Sequence, residues 1–175
     1  YESYDVITYV VSLVNSGATA LTGLVLTDNL GAYTFNETSL FPLQYVANSL
    51  KYYVNGVLQT SPVIASQEPL QIEGISIPAQ GNAVVIYQAA LTQFAPSATN
   101  STITNQAVIS GTGISSITVE ETISALAEPI LNITKSISPV PVTENGALTY
   151  TFVIENRGNV PADPVDLIVI TDQFN

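Results

Sequence analysis

The chain has 175 residues, of which 46% are hydrophobic and 10% charged, so it can bury a sizeable core and disorder is excluded. Three basic residues against fourteen acidic ones give a net charge of -11, which disfavours nucleic acid and anionic lipid as partners. Cys and His are absent, which excludes disulfides, thiol catalysis and the usual zinc sites. No apolar run approaches the roughly 20 residues of a membrane-spanning helix, and no cofactor or membrane insertion is predicted.

The first predicted element is a strand–turn–strand unit over residues 8–28. Apolar residues alternate from Thr8 to Asn15, which indicates a half-buried strand. The Asn15-Ser16-Gly17 triplet then predicts a tight turn, because Asn and Gly accept a positive φ. A second apolar strand follows and ends at Thr27-Asp28.

Further strands are predicted along the next hundred residues. Asn55-Gly56 between two apolar runs is a strong hairpin signal. No window shows helical periodicity with caps, and regular turn signals separate the runs. The sequence therefore predicts an all-β, immunoglobulin-like Greek-key β-sandwich. Its remaining predicted strands cover residues 49–54, 57–58, 70–77, 83–91, 103–110 and 117–123.

The strand–turn–strand unit occurs a second time, in residues 149–172. Both copies begin Thr-Tyr, pass through Asn-x-Gly and end Thr-Asp. The second copy is longer only within its loop, which carries Pro161 and Pro164. Two such matches predict a modular array. The equivalent pairs are Tyr9 with Tyr150, Asn15 with Asn156, Gly17 with Gly158 and Asp28 with Asp172.

The repeat register predicts two incomplete domains. Residues 1–127 are predicted to form a β-sandwich repeat that lacks its first strand, and residues 128–175 the N-terminal part of a second, truncated repeat. Residues 130–138 form the first strand of the second repeat. Because an unpaired sheet edge favours strand addition, this strand is expected either to fill the vacant edge or to exchange with another copy.

The ordered set of motifs resembles the conserved repeat domain of bacterial surface proteins, the "domain of unknown function eleven" family. In the second repeat the matching residues are 133–136, 145–150, 156–158 and 171–172; in the first they are Tyr9, 15–17, 27–30, 78–81 and 104–107. The resemblance implies an immunoglobulin-like sandwich in large, repetitive, wall-associated proteins outside the cell. Such repeats serve as stalks or adhesive modules.

The same resemblance suggests a self-made Lys–Asn isopeptide bond, as in related pilin and adhesin domains. That bond requires a Lys on the first strand, an Asn on a late strand and a buried carboxyl beside them. Lys135 and Asn105 are the candidates, with Asp28 or Asp172 as the acid, although Lys135 and Asn105 belong to different repeats. The alternative is that the two Asp residues end strands and accept hydrogen bonds from turn amides.

Two other clusters have simpler interpretations. Tyr33, Tyr45, Tyr52 and Tyr53 could form a sugar-binding platform, but such residues more often pack a sandwich core or its edge. The carboxylates of Asp163, Asp166 and Asp172 could bind calcium, but their spacing matches no calcium loop. No metal site is therefore predicted.

Enzymatic activity is not predicted. Nucleophilic triads would need substitutes for His and Cys, and Lys51 has no paired Ser motif. The spacing of Glu68 and Glu73 gives no reason for the two carboxylates to converge in a cleft.

The sequence predicts a non-catalytic stalk or spacer repeat of a secreted or cell-wall-associated bacterial surface protein. Its expected partners are neighbouring repeats. The first alternative is an adhesive module for host protein or glycan, and the second is an accessory domain of a secreted hydrolase.

Overall fold

The computed structural model describes residues 1–2, 4–138, 140–141, 143–163 and 169–173. Within these residues the regular structure is entirely β. The strands are β1 (Val6–Asn15), β2 (Leu21–Asp28), β3 (Tyr33–Phe35), β4 (Thr38–Leu40), β5 (Leu43–Tyr45), β6 (Lys51–Val54), β7 (Val57–Gln59), β8 (Val63–Gln67), β9 (Leu70–Ile77), β10 (Gly81–Leu91), β11 (Thr102–Ser110), β12 (Ile117–Ser124), β13 (Leu131–Ser138) and β14 (Thr149–Asn156).

The chain divides into two compact units. Unit 1 comprises residues 1–97 and 101–125, and unit 2 comprises residues 98–100 and 126–175. Among the described residues there is no helix long and apolar enough to cross a membrane.

Unit 1 is a sandwich of two five-stranded antiparallel sheets. The first sheet has the order β1-β10-β6-β7, with β5 also paired to β10, and the second has the order β12-β11-β2-β9-β8. Strands β3 and β4 form a separate small hairpin. The predicted all-β, immunoglobulin-like sandwich is confirmed.

The core of unit 1 follows from strand alternation. Every second residue of β10 is buried, and the intervening residues are more exposed. These buried residues pack in one cluster with apolar residues of β2, β9 and β11, so both sheets contribute to a single core. The largest fully buried apolar members include Tyr87, Leu24, Leu26, Leu70, Ile72 and Ile75.

The predicted strands agree closely with the observed ones, but four short strands were missed. Strands β3, β4 and β5 have three residues each, too few to show a period. Strand β8 pairs with β9 at the edge of the second sheet, with a register shift between Ile64 and Ser66.

The Asn-x-Gly turns form for a different reason than predicted. Asn15 and Gly17 do not have a positive φ. Instead, the Asn15 side chain accepts a hydrogen bond from the Gly17 amide at 3.0 Å and donates to the carbonyls of Thr19 (2.8 Å) and Pro78 (3.0 Å). The side chain thus replaces backbone partners, which is the behaviour of an Asx turn.

Unit 2 repeats this turn. The Asn156 side chain accepts from the amides of Gly158 (2.9 Å) and Ile130 (3.1 Å) and donates to the Val160 carbonyl at 2.6 Å. A Cβ added at Gly158 would lie 2.2 Å from the Glu128 carbonyl oxygen, so close backbone approach explains the glycine there.

Strand β13 pairs with β14 in an antiparallel ribbon, with Lys135 opposite Phe152 and Ile137 opposite Tyr150. The expectation that residues 130–138 fill the vacant edge within the chain is therefore wrong. Strand β14 is the next strand along the chain and provides a nearby hydrogen-bonding edge. The next predicted strand, which ends at Thr171-Asp172, includes residues 164–168, which lie outside the described residues.

We expect Asn15→Ala to lower the free energy of unfolding of unit 1 by about 2–4 kcal/mol, because it removes several partly buried hydrogen bonds. Asn82 is exposed on β10 and its side chain makes none of these bonds, so Asn82→Ala is the matched control and should change stability by under about 0.5 kcal/mol. Urea unfolding of both variants provides the measurement. Equal losses would contradict the role assigned to the Asn15 side chain.

Candidate functional site

The candidate site of unit 1 is centred on a fully buried carboxyl group, that of Asp28. Strand β2 turns Leu24, Leu26 and Asp28 toward the core, since they are alternate residues. Asp28 is the last residue of this strand, so the chain turns immediately afterwards and the Leu30 amide donates back to its Oδ1 at 2.7 Å. Asp28 thus ends its strand and accepts a hydrogen bond from a turn amide, as the simpler interpretation of the sequence predicted.

The other oxygen of Asp28 joins the two sheets. Asn105, on β11 of the second sheet, donates from its Nδ2 to Asp28 Oδ2 at 2.8 Å. Tyr87, on β10 of the first sheet, donates its hydroxyl to the same oxygen. The Asn105 carbonyl oxygen in turn accepts from the Gly31 amide at 3.0 Å. We call Asp28, Asn105, Tyr87 and the adjoining Tyr9 the Asp28 cluster.

Burial controls the protonation chemistry of the Asp28 cluster. Desolvation raises the pKa of Asp28, and the three hydrogen bonds to it oppose this shift only in part. Burial and the nearby Asp28 charge also raise the pKa of Tyr87, and they raise that of Tyr9 to about 12. The protonated form of the carboxyl is therefore favoured more than in water.

Tyr9 completes the Asp28 cluster without a hydrogen bond of its own. Its ring stacks on Tyr87 with centroids 5.5 Å apart. Its hydroxyl is buried beside Asn105 and Asp28 but makes no hydrogen bond of normal geometry with any described residue. Burial without such a bond is costly, so a polar group that reached this hydroxyl would be stabilised by it.

Unit 2 holds the complementary half of the predicted chemistry. Lys135 Nζ contacts both carboxylate oxygens of Asp172, at 2.5 and 2.7 Å. The ammonium also lies over the rings of Tyr150 and Phe152, 4.6 and 5.7 Å from their centroids. Asp172 and Tyr150 are the repeat equivalents of Asp28 and Tyr9.

The structure thus brings the predicted residues together in pairs. Asp28 and Asn105 meet in unit 1, and Lys135 and Asp172 meet in unit 2. Tyr87 and Tyr9 were not predicted as site residues. The sequence pattern that points to these two tyrosines is strand alternation, which places both on core-facing sides of their strands. Alternation does not identify Asp28 as the hydrogen-bond partner of Tyr87.

A groove opens beside the Asp28 cluster, with a volume of about 530 Å³. We call it the β1–β12 groove, because alternate residues of these strands form its walls and the Asp28 cluster lies at its floor. In the described residues β1 has hydrogen-bonded neighbours only in β10, and β12 only in β11, so both strands are sheet edges. The wall residues include Ile7, Val11, Val119, Glu121 and Ile123.

The tyrosine platform considered from the sequence does not form. Tyr45 and Tyr52 are buried, which agrees with the core-packing interpretation, while Tyr33 is exposed, so the four tyrosines make no common platform. Asp166 lies outside the described residues, and the described residues contain no group of three or more acidic side chains that could hold a metal ion.

No protein-family model and no curated protein sequence matches the chain. Its resemblance to the conserved repeat domain therefore stays a prediction.

Several solved structures show distant similarity. The pilus backbone protein RrgB of Streptococcus pneumoniae is 13% identical, with a TM-score of 0.45 over 63% of this chain and 25% of that one. The collagen-binding subdomain ACE19 of Enterococcus faecalis is 9% identical, with a TM-score of 0.41 over 70% and 87%. A family 123 glycoside hydrolase of Clostridium perfringens is 12% identical, with a TM-score of 0.43 over 71% and 22%. These likenesses are too distant to carry a functional argument.

Two tyrosine substitutions test the Asp28 cluster. Tyr87→Phe removes a donor from the buried carboxyl and should lower the free energy of unfolding by about 1–3 kcal/mol. Tyr9→Phe removes a buried hydroxyl that makes no hydrogen bond of normal geometry, so we expect it to be neutral or stabilising by up to about 2 kcal/mol. Chemical denaturation gives the free energy of unfolding of both variants, each of which lacks one tyrosine hydroxyl of the stacked pair. A larger loss at Tyr9 than at Tyr87 would contradict the described network.

Proposed function

We propose that the chain is a non-catalytic structural repeat, a stalk or spacer of a secreted or cell-wall-associated bacterial surface protein. The observation that carries this proposal is the recurrence of one strand–turn–strand unit with the same side-chain-mediated turn. Asn15 and Asn156 make equivalent contacts in units 1 and 2. Repeated modules of this kind suit an extended array. The extracellular location is supported by the resemblance to wall-associated repeats.

The Asp28 cluster supports a structural role rather than turnover. Its carboxyl accepts three hydrogen bonds from within the protein and is fully buried. A single intramolecular crosslink would use this carboxyl once, whereas an enzyme must admit and release a substrate in every turnover. We therefore infer that the chain is not an enzyme.

The proposal includes a Lys–Asn isopeptide bond in a complete repeat. Unit 1 supplies the acid and amide, and unit 2 shows how a first-strand lysine meets the equivalent acid. By the repeat register, a first-strand lysine equivalent to Lys135 is expected to lie beside Asp28 and Asn105 in a complete repeat. Two complementary halves of one site support this proposal.

The reaction balances without any co-reactant. The neutral Nζ of the lysine attacks Cγ of Asn105, and a bond forms between them. The bond from Cγ to Nδ2 breaks, and Nδ2 leaves as ammonia. Asp28 Oδ2 lies 2.8 Å from this leaving nitrogen, so a protonated carboxyl can deliver a proton there and receive one from the attacking amine. The raised pKa of Asp28 favours the form that this role needs.

A grafted chain tests the bond. The repeat register makes Leu148 equivalent to Ile7, so residues 130–148 joined directly to Thr8 should give unit 1 a first strand. We expect the intact mass of this chain to be lower than calculated by one ammonia. Lys135→Arg in the graft, or Asn105→Ala, should restore the calculated mass, since either removes a reacting atom.

If the folded graft has the full calculated mass, no isopeptide bond has formed and the crosslink proposal is wrong. Circular dichroism and thermal melting establish that the graft and its variants fold.

The adhesive alternative is favoured by one surface feature. Tyr33, Phe35 and Phe94 are exposed together, and the Tyr33 hydroxyl donates to the Phe94 carbonyl at 2.9 Å. Exposed aromatic residues are common in glycan and protein contacts.

Binding measurements separate the two functions. A spacer is expected to show no saturable binding to a panel of host glycans and extracellular-matrix proteins. Adhesion would appear as saturable binding that Phe35→Ser removes. Val57 is equally exposed on β7, and binding that survives Val57→Ser but not Phe35→Ser would overturn the spacer function.

A further inference from the structure

The β1–β12 groove has the features of a strand-binding site. Its walls are apolar, with Ile7 and Val11 on one side and Val119 and Ile123 on the other. Val119 and Ile117 are more than half exposed, although they lie on the core-facing side of their strand. The free backbone edge of β1 offers hydrogen bonds along the same line. An extended segment would satisfy both the apolar walls and the edge.

The groups at the floor of the groove indicate which side chain of a bound segment would fit there. The Tyr9 hydroxyl is buried beside the carboxyl of Asp28 and makes no hydrogen bond of normal geometry with any described residue. Glu120 and Glu121 also line the groove. A positively charged side chain that donates hydrogen bonds, near the middle of the bound segment, would complement this hydroxyl and these carboxyl groups.

Unit 2 provides the template for such a segment. Strand β13 lies antiparallel on β14, the repeat equivalent of β1, and places Lys135 over Tyr150 and against Asp172. In this position the lysine meets the equivalents of Tyr9 and Asp28. The sequence of β13, with apolar residues at 131, 133 and 137 around Lys135, matches an apolar groove with an acidic floor.

The β13–β14 register transfers directly to β1. Because Tyr150 is equivalent to Tyr9, Lys135 would lie opposite Val11 and Ile137 opposite Tyr9. Ile133 would then lie opposite Leu13. The alternate residues of β13 would all face the groove, with the lysine above the Asp28 cluster.

Separating β13 from β14 costs little free energy. Within the described residues β13 pairs only with β14, and a two-stranded ribbon is marginal in water on its own. Leu131, Ile133 and Ile137 remain 43%, 51% and 37% exposed there. In the groove the same residues would lie between the apolar residues of β1 and β12, so exchange would gain apolar contact.

We propose that two copies of this chain associate by strand exchange, with residues 131–138 of one copy seated in the β1–β12 groove of the other, antiparallel to β1. The docking does not depend on the covalent bond proposed above. A Lys135→Arg chain should still associate, whereas it cannot form the isopeptide bond, so the two proposals fail separately.

The test uses the full chain and two charge reversals. Sedimentation velocity or light scattering should show dimers or larger species that increase with protein concentration. Lys135→Glu places a negative charge against Asp28 and Glu121 and should weaken association by about tenfold or more. Lys51→Glu makes the same change at an exposed position of β6 outside the groove and should leave association unchanged.

A mixing experiment identifies the donor and the acceptor. Val119→Lys changes an exposed wall residue and should block the groove, but it leaves the donor strand β13 intact. Lys135→Glu leaves the groove intact but should prevent β13 from binding in it. Each variant alone should be monomeric, and an equimolar mixture should form a one-way heterodimer. A monomeric wild type, or association that resists Lys135→Glu, would overturn the proposal. Association sensitive to Val119→Lys but not to Lys135→Glu would mean that another segment occupies the groove, and would overturn it as well.

Discussion

The constraint on which unit 1 depends is the burial of one carboxyl group without a cation beside it. Asp28 is fully buried, and its partners in the described residues are a tyrosine hydroxyl, a carboxamide and a backbone amide. An unpaired buried charge would be very costly, so the site must supply these donors from both sheets at once. The positions of β10 and β11 relative to β2 are thereby linked through a single residue. An apolar core excludes a slip of one residue, which would turn every side chain to the other face, and the Asp28 contacts also disfavour a slip of two, which would keep the faces but lose these hydrogen bonds.

The two units hold Asp28 and Asp172, which the sequence repeat predicts to be equivalent, in different surroundings. In unit 2 the lysine is present and the carboxylate is partly exposed, so the pair is a surface ion pair of modest strength. In unit 1 the carboxyl is buried, and its partners in the described residues are neutral hydrogen-bond donors instead of a lysine. The repeated sequence motif therefore does not fix the electrostatics of the site. The surrounding strands decide how far the carboxyl is desolvated, and with that its chemistry.

The sequence predicted the long strands because alternation over eight or more residues leaves little ambiguity, as in β10 and β11. It could not predict β3, β4 and β5, which have three residues each and form only because neighbouring segments hold them. Lys135, Asp28, Asp172 and Asn105 could be named because their residue types suit the chemistry. Which of them meet depends on strand pairing, as does the involvement of Tyr87, which is 59 residues from Asp28 along the chain.

The Asn-x-Gly turns show a further limit. The motif correctly marked the ends of β1 and β14, but its physical basis is a side-chain hydrogen-bond network and, at Gly158, a close backbone approach. Positive-φ and Asx turns share the same residue preferences, so composition alone does not separate them.

The directions of β1 and β12 determine how tension would pass through unit 1. Tyr1, which precedes β1, donates from its ammonium to the carbonyl of Ser124 at the end of β12, and Tyr9 within β1 lies near Glu121, earlier in β12, so β12 runs opposite to β1. A strand seated antiparallel to β1 would therefore run parallel to β12. Pulling on the start of that strand and the end of β12 would load its hydrogen bonds to β1 in shear, all together, rather than opening them one by one. A covalent link from that strand to Asn105 would transfer the load to β11, the hydrogen-bonded neighbour of β12, and bypass the rest of the sandwich.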